Sequence, residues 1–330
     1  MKVLVTGATS LIGKHVVSLL LDRGDEVTVV QRNPSGIANV KEACCDIAAS
    51  ASVGTLEAAL QGNDAVIHLA AKVGIAGRWD AYEAINIKGA ERLINCAQRS
   101  GVNRYVHVST PSVAHAGLSL IGAAAGAADP ANVRGHYATS KAIGEQIALA
   151  ANSTDMSVVA LRPHLVWGPG DTQLVQRIVD RARAGRLVLV GNGQALIDTT
   201  YIDNAASAIV AGIDNAKRAA GHALVISNGQ PRTVREIMQR ILLAAGEATE
   251  LRQIPASVAI TAGTAIEKVW EWLDRSEDPP MTRFLAEQLA TAHWFDQRET
   301  QRLLDWKPAV GIEEGFERLG ARELSRQAIS

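Results

Sequence analysis

Residues 2–13 constrain the fold more than any other stretch. Lys2-Val3-Leu4-Val5-Thr6 is a short, β-branched apolar run, and Thr6-Gly7-Ala8-Thr9-Ser10-Leu11-Ile12-Gly13 follows it directly. Leu11–Asp22 then has a helical pattern, with Val16, Leu19 and Leu20 on one face and Gly24 just past its end. A strand that turns through glycine into a helix is the first unit of a doubly wound α/β fold. Gly7 suits the tight turn and Gly13 the close packing of helix on strand. The backbone N–H groups over Thr9, Ser10, Leu11 and Ile12, with the helix dipole behind them, suit a pyrophosphate. Ser10 stands where a central glycine would bring the backbone nearest the phosphates, and its hydroxyl is small enough to donate to phosphate itself.

The alternation continues downstream. Glu26–Val30, Ala65–Leu69, Arg104–Ser109 and Ser157–Leu161 read as strands, and Tyr82–Ser100 and Ala138–Ala151 as helices. Such alternation predicts a parallel sheet covered by helices on both faces. Beyond Arg162 the residues Pro163, Gly168, Pro169 and Gly170 take the chain off the sheet. Leu187–Val190 and His222–Ser227 are further strand candidates, and 233–330 is mainly helical. The expected organisation is a Rossmann-type dinucleotide-binding domain over 1–165, its sheet completed by part of 187–227. A smaller, mainly substrate-binding lobe over 166–330 is interleaved with it.

Composition narrows the partners. Among 330 residues, 33 Lys plus Arg balance 34 Asp plus Glu, which leaves no global charge to attract nucleic acid or an anionic membrane. The three cysteines form no CxxC and no disulfide framework, which fits the cytoplasm, and no signal peptide is apparent. The longest uncharged stretch, 105–128, is broken by His107, Pro111 and His115, and reads as a buried strand followed by a small-residue loop. The histidines are scattered without metal-ligand spacing, and no GxSxG elbow is present.

The end of the second strand, Val29-Val30-Gln31-Arg32-Asn33, bears on which dinucleotide binds. An acid at this place accepts from the adenosine 2′-hydroxyl and repels a 2′-phosphate. Gln31 lacks that charge and Arg32 can pair a phosphate, so NADP is favoured over NAD. Asp46-Ile47 places a carboxylate near the adenine amine, with a plain loop aspartate as the alternative. His68-Leu69-Ala70-Ala71 reads as a small-residue turn along which Leu69, Ala70 and Ala71 let a cofactor pass, with His68 a packed strand residue.

Tyr137 and Lys141 stand at i and i+4 and share a helix face. An ammonium beside a phenol lowers the phenol's pKa, and a phenol so tuned exchanges a proton with a carbonyl–alcohol couple. Ser109-Thr110-Pro111-Ser112 ends a strand upstream, where a hydroxyl can hold a substrate oxygen as charge develops. Thr110 is preferred, with Ser109 and Ser112 as alternates. His136 is at best a substrate-loop contact, because adjacent helical residues diverge.

With these motifs the chain resembles the extended short-chain dehydrogenase/reductase family. The resemblance runs through TGATSLIG, the Asp46-Ile47 pair, AVIHLAAKVG, INIKGAERLINCA, YVHVSTPSV, YATSK, LRPHLVWGPGD, TTYIDNAASAIVAG and LLDWKPAVGIEEG. It implies Thr110 as catalytic hydroxyl, Tyr137 as acid/base and Lys141 as supporting lysine that also grips the nicotinamide ribose. It implies Gly7, Ser10 and Gly13 at the pyrophosphate, Pro163 at the nicotinamide side, and a homodimer built on helices 82–100 and 138–151. LRPHLVWGPGD looks like the 3β-hydroxysteroid dehydrogenase/isomerase-like branch. Sugar-nucleotide epimerases often carry diphosphate-binding Asn where this chain has Leu165 and Val166. With Trp167 next, that favours a mostly apolar substrate, unless all three only pack the lobe.

The leading expectation is an NADP(H)-preferring oxidoreductase that interconverts a secondary alcohol and a ketone on a mostly apolar small molecule, steroid-like, 3-oxoacyl-like or similar, by hydride transfer assisted by Tyr137, Lys141 and Thr110. Its rivals are a sugar-nucleotide epimerase or dehydratase that reoxidises its cofactor within each cycle, and a non-catalytic NADP-sensing binder.

Overall fold

The structure is a computed structural model and describes all residues except 75–76, 115–116, 274–278, 280 and 328–330. His115, one of the polar interruptions noted above, lies outside the described residues. Seven strands form one parallel sheet: β1 (Lys2–Thr6), β2 (Glu26–Gln31), β3 (Lys41–Cys44), β4 (Ala65–His68), β5 (Arg104–Val108), β7 (Ser157–Pro163) and the strand Ala223–Ile226. The remaining early strand, β6 (Leu120–Ala123), pairs with His293–Phe295 in a separate four-stranded sheet. The order across the main sheet is Ala223–Ile226, β7, β5, β4, β1, β2, β3. Strand order therefore reverses between β1 and β4, and the crevice beyond their carboxyl ends is where doubly wound sheets bind dinucleotides. The doubly wound sheet expected from the alternation is present.

Val3, Leu4, Val5 and Thr6 are fully buried, as a strand covered on both faces requires. α1 (Leu11–Asp22) buries Gly13, Val16, Val17 and Leu20, the i, i+3, i+4, i+7 face of a helix packed on a sheet. It shares one core with the helix Ile202–Asp214. On the opposite face α2 (Val53–Leu60), α4 (Ala90–Arg99) and α5 (Gly135–Ala150) close a second core around Leu56, Leu93, Ile94 and Ala148. A third core around Trp167, Tyr201, Ile237 and Phe316 holds the lobe.

Three elements differ from the sequence reading. Lys41–Cys44 joins the sheet edge as β3, although Lys41 and Glu42 are exposed and show no apolar alternation. The helix expected from Tyr82 begins earlier, as α3 (Trp79–Tyr82), and its residues Glu83–Gly89 wind as a π-helical segment before α4. Leu187–Val190 contributes Val188–Val190, which pairs with Arg252–Ile254 and not with the main sheet.

Candidate active site

The glycine loop is built by exclusion. Gly7 has φ +72°, and a Cβ there would lie 2.8 Å from the Ala70 nitrogen. A Cβ on Gly13 would lie 2.2 Å from the Gly7 carbonyl oxygen. The turn after β1 and the Leu69–Ala71 turn after β4 are thus in backbone contact, and neither glycine tolerates a side chain. Ser10 caps α1: its hydroxyl donates to the Gly7 carbonyl at 2.8 Å and accepts from the Gly13 amide at 3.0 Å. This corrects the expected role, because the hydroxyl hydrogen is used inside the turn and does not point to a phosphate. The amides of Leu11 and Ile12, in the first helical turn, keep no intrahelical acceptor and remain for an anion.

Beside this loop, Thr9 Oγ1 donates to Gln31 Oε1 at 3.4 Å, and Gln31 Nε2 donates to the Asn33 carbonyl at 2.8 Å. Arg32 is exposed and has no ion pair among the described residues. Asp46 accepts from the Ala48 amide at 2.9 Å and so shapes its own loop, while Ile47 is buried against Gly89. His68 is 2.7 Å from Thr6 Oγ1, which also accepts from the Ala70 amide at 3.1 Å. Burial, then the nearby Lys141 charge, pushes the His68 pKa down to about 3. His68 is therefore a neutral structural group that ties β4 and its turn to β1.

The loop fits a dinucleotide pyrophosphate: Gly7 and Gly13 let the backbone close up tightly around the turn, and the Leu11 and Ile12 amides at the start of α1 are left to meet an anion.

Thr110 follows β5 and is half-buried. Its Oγ1 lies 3.1 Å from Ser112 Oγ, and its side chain stands near enough to Tyr137 to pull that residue's pKa down. Ser109 is buried, and its Oγ has no partner among the described residues, so Thr110 is the hydroxyl that meets the tyrosine. Lys141, 3% exposed, donates from Nζ to the Val108 carbonyl at 2.7 Å. The expected lowering of the tyrosine pKa is not found. Burial pushes Tyr137 up to about 12, opposed by the Thr110 side chain, and Lys141 plays no part in the shift. Helical spacing places Tyr137 and Lys141 on one face, but the ammonium turns to the strand below.

Burial also lowers Lys141 to about 8, with Glu145 pulling the other way. Below pH 8 both folded and unfolded chains carry this proton, and the burial penalty is fully present. Between about 8 and the ordinary 10.5 the unfolded chain binds more protons, so stability rises with pH. Lys141→Met is expected to remove that rise, worth about 1 kcal/mol per pH unit. Urea unfolding of both proteins from about pH 7.5 to about pH 9.5 checks it, and parallel pH dependences would refute it.

Around Tyr137 lie residues the sequence reading did not assign. Asn86, buried in the π-helical segment, accepts from the Lys72 amide at 2.7 Å and donates from Nδ2 to the Lys72 carbonyl at 3.0 Å and to Ser140 Oγ at 2.9 Å. A Cβ on Gly144 would lie 2.3 Å from the Asn86 carbonyl oxygen, so α5 meets the π segment backbone to backbone. Glu145 and Arg162, both fully buried, form a two-point ion pair between α5 and β7, and Arg162 also donates to the Ala125 and Gly126 carbonyls. No local pattern in the sequence marks these partners. His136 is exposed at the rim and stands edge-on to Trp79, ring centroids 5.6 Å apart.

Trp167 is a correction. It is 1% exposed, donates from Nε1 to Thr199 Oγ1 at 2.9 Å and stacks on Phe316 at 4.4 Å. It is a lobe-core residue, buried too deeply to line a surface. Leu165, with φ +42°, and Val166 are half-buried and pack on the same core. Pro163 ends β7, half-buried and paired with Ile226. Among the described residues no cluster of His, Cys, Asp or Glu could hold a metal ion, and no helix is long and apolar enough to cross a membrane.

Comparison with known proteins places these features in a family. The model of the NAD dependent epimerase/dehydratase family matches residues 3–227. A 2-alkyl-3-oxoalkanoate reductase of Stenotrophomonas maltophilia (strain K279a) is 39% identical over 97% of this chain and 99% of its own. A 3 beta-hydroxysteroid dehydrogenase/Delta 5-->4-isomerase of Mycobacterium tuberculosis (strain CDC 1551 / Oshkosh) is 30% identical over 74% of this chain and 70% of its own. The UDP-glucose 4-epimerase of Thermus thermophilus, solved with NAD, shares the fold at a TM-score of 0.73 and 22% identity, with 98% of this chain and 99% of that one covered.

Proposed function

The chain belongs to the NAD dependent epimerase/dehydratase family, and from that premise we propose that it is an NADP(H)-preferring reductase of 3-oxoalkanoate-like substrates, carrying a ketone to a secondary alcohol. The observation that carries this reading is Thr110 at the end of β5 set close enough to Tyr137 to pull its pKa down, in a chain 39% identical over nearly its whole length to a 2-alkyl-3-oxoalkanoate reductase. A bound nicotinamide dinucleotide would supply the hydride that adds to the carbonyl carbon. Tyr137, whose proton is held on at neutral pH, gives that proton to the carbonyl oxygen. Thr110 orients the same oxygen by hydrogen bonding. Lys141 holds the strand-end carbonyl of Val108 and keeps a positive charge beneath the site. Gly7 and Gly13 let the turn close tightly, and the Leu11 and Ile12 amides would bind the pyrophosphate.

The NADP preference rests on Arg32, exposed next to Gln31 where an acid would repel a 2′-phosphate. Arg32→Ala is expected to weaken NADP binding about ten-fold and NAD binding by less than about two-fold. Calorimetric titration with each dinucleotide checks this, and equal losses would remove the phosphate-pairing role. The function itself is tested by NADPH oxidation with aliphatic and 3-oxoacyl ketones. Lack of turnover on all of them, with cofactor bound, would overturn it. A homodimer through the helices of residues 82–100 and 138–151 is part of the same reading, and light scattering of the purified protein decides it.

A further inference from the structure

Lys72 is a half-buried cation whose place is fixed and whose charge is not answered. Its backbone amide and carbonyl are both held by the Asn86 side chain, at 2.7 Å and 3.0 Å. The same Asn86 amide donates to Ser140 Oγ at 2.9 Å, and Ser140 Oγ donates to the Tyr137 carbonyl at 3.0 Å. One side chain thus sets the position of Lys72 relative to the helical turn that carries Tyr137. The lysine stem runs along Tyr82, with Nζ 5.8 Å from that ring's centroid. Tyr82 is fully buried, its hydroxyl donates to the Gly74 carbonyl at 3.0 Å, and it is close enough to Tyr137 to raise that residue's pKa. Across the Tyr82 ring stands His136, centroids 6.0 Å apart, with Trp79 beyond it. Among the described residues Lys72 has no acidic partner.

A half-desolvated ammonium held by hydrogen bonds at its root, with only a π face for its charge, is arranged for an anion. The groups around it are aromatic, Tyr82 first and His136 and Trp79 beyond, which suits hydrocarbon. We propose that Lys72 is a specificity-determining residue that binds the carboxylate of a 3-oxo or 3-hydroxy acid while Tyr137 and Thr110 hold the oxygen two carbons away. The alkyl part then lies against the half-buried Trp79. This inference rests on the reductase reading above and adds the carboxylate to it. It also adds a charge to the mostly apolar substrate expected from Leu165, Val166 and Trp167, recognised from the first half of the chain.

The test uses the oxidative direction, because 3-oxo acids lose carbon dioxide spontaneously whereas 3-hydroxy acids are stable. A 2-alkyl-3-hydroxyalkanoate and its methyl ester are assayed with NADP for the wild type, Lys72→Met and Lys72→Arg. Lys72→Met should raise KM for the acid about ten-fold or more and move the ester's KM by less than about two-fold, with Lys72→Arg near wild type. NADP affinity, measured separately, should not change. Equal losses on acid and ester, a loss of NADP affinity, or an unchanged KM for the acid would each overturn the role of Lys72 while leaving the reductase reading in place. Failure of the wild type to oxidise both compounds would overturn the reductase reading, and the inference with it.

Discussion

Tyr137→Phe is expected to lower turnover about a thousand-fold and to leave dinucleotide affinity within a few-fold of wild type. A positioned proton donor contributes about two to four orders of magnitude. Phenylalanine keeps the ring, so packing near Tyr82 and His136 is retained and the loss reports chemistry. Because burial holds the Tyr137 proton up to about 12, the group is ready as an acid at neutral pH and must be forced to act as a base. The wild type should therefore reduce ketones well near neutrality and oxidise alcohols faster as pH rises. Steady-state kinetics of both proteins in both directions measure this. Turnover within about ten-fold of wild type for Tyr137→Phe would remove the residue from the proton path.

Arg162→Met should destabilise the protein by about 3–5 kcal/mol, because it leaves Glu145 charged, fully buried and unpaired. The Ala125 and Gly126 carbonyls lose their donor as well. The double variant Glu145→Leu with Arg162→Met should recover most of that loss, since an apolar pair of similar volume often replaces a buried ion pair without cost. Denaturant unfolding of the three proteins gives the numbers. A single variant no less stable than the double one would show that the pair does not clamp α5 to β7. The clamp matters to the proposed function because Glu145 lies one turn beyond Lys141, so the helix that carries Tyr137 and Lys141 is fixed to the sheet.

Much of this is legible in the sequence where the physics is local. Gly7 and Gly13 can be read because the turn after β1 and the start of α1 leave no room for a Cβ, and because the β-branched run before them has one natural fate. Tyr137 and Lys141 share a helix whatever surrounds it. What that spacing does not carry is where the ammonium points, and Val108 on a distant strand decides it. Asn86, Lys72 and the Arg162–Glu145 pair are silent for the same reason: their partners are 14 to 54 residues away. Trp167 misleads because apolar residues that line a pocket and those that fill a core have one composition, and only its stacking on Phe316 separates the two. β3 escapes because an edge strand with charged, exposed residues lacks the alternation that betrays a strand.

The π-helical segment has a consequence for how such a helix changes over time. An α-helix turns about 100° per residue, so residues before and after a wider-wound segment are out of phase by the extra winding. Trp79 and Tyr82 precede Glu83–Gly89, while Leu93, Ile94 and Ala97 follow it and are buried in the sheet's covering layer. The aromatic turn and the packing face are thereby set on independent dials along one helix. Deleting one residue between 83 and 89 would turn Trp79 and Tyr82 relative to the face that Leu93, Ile94 and Ala97 bury.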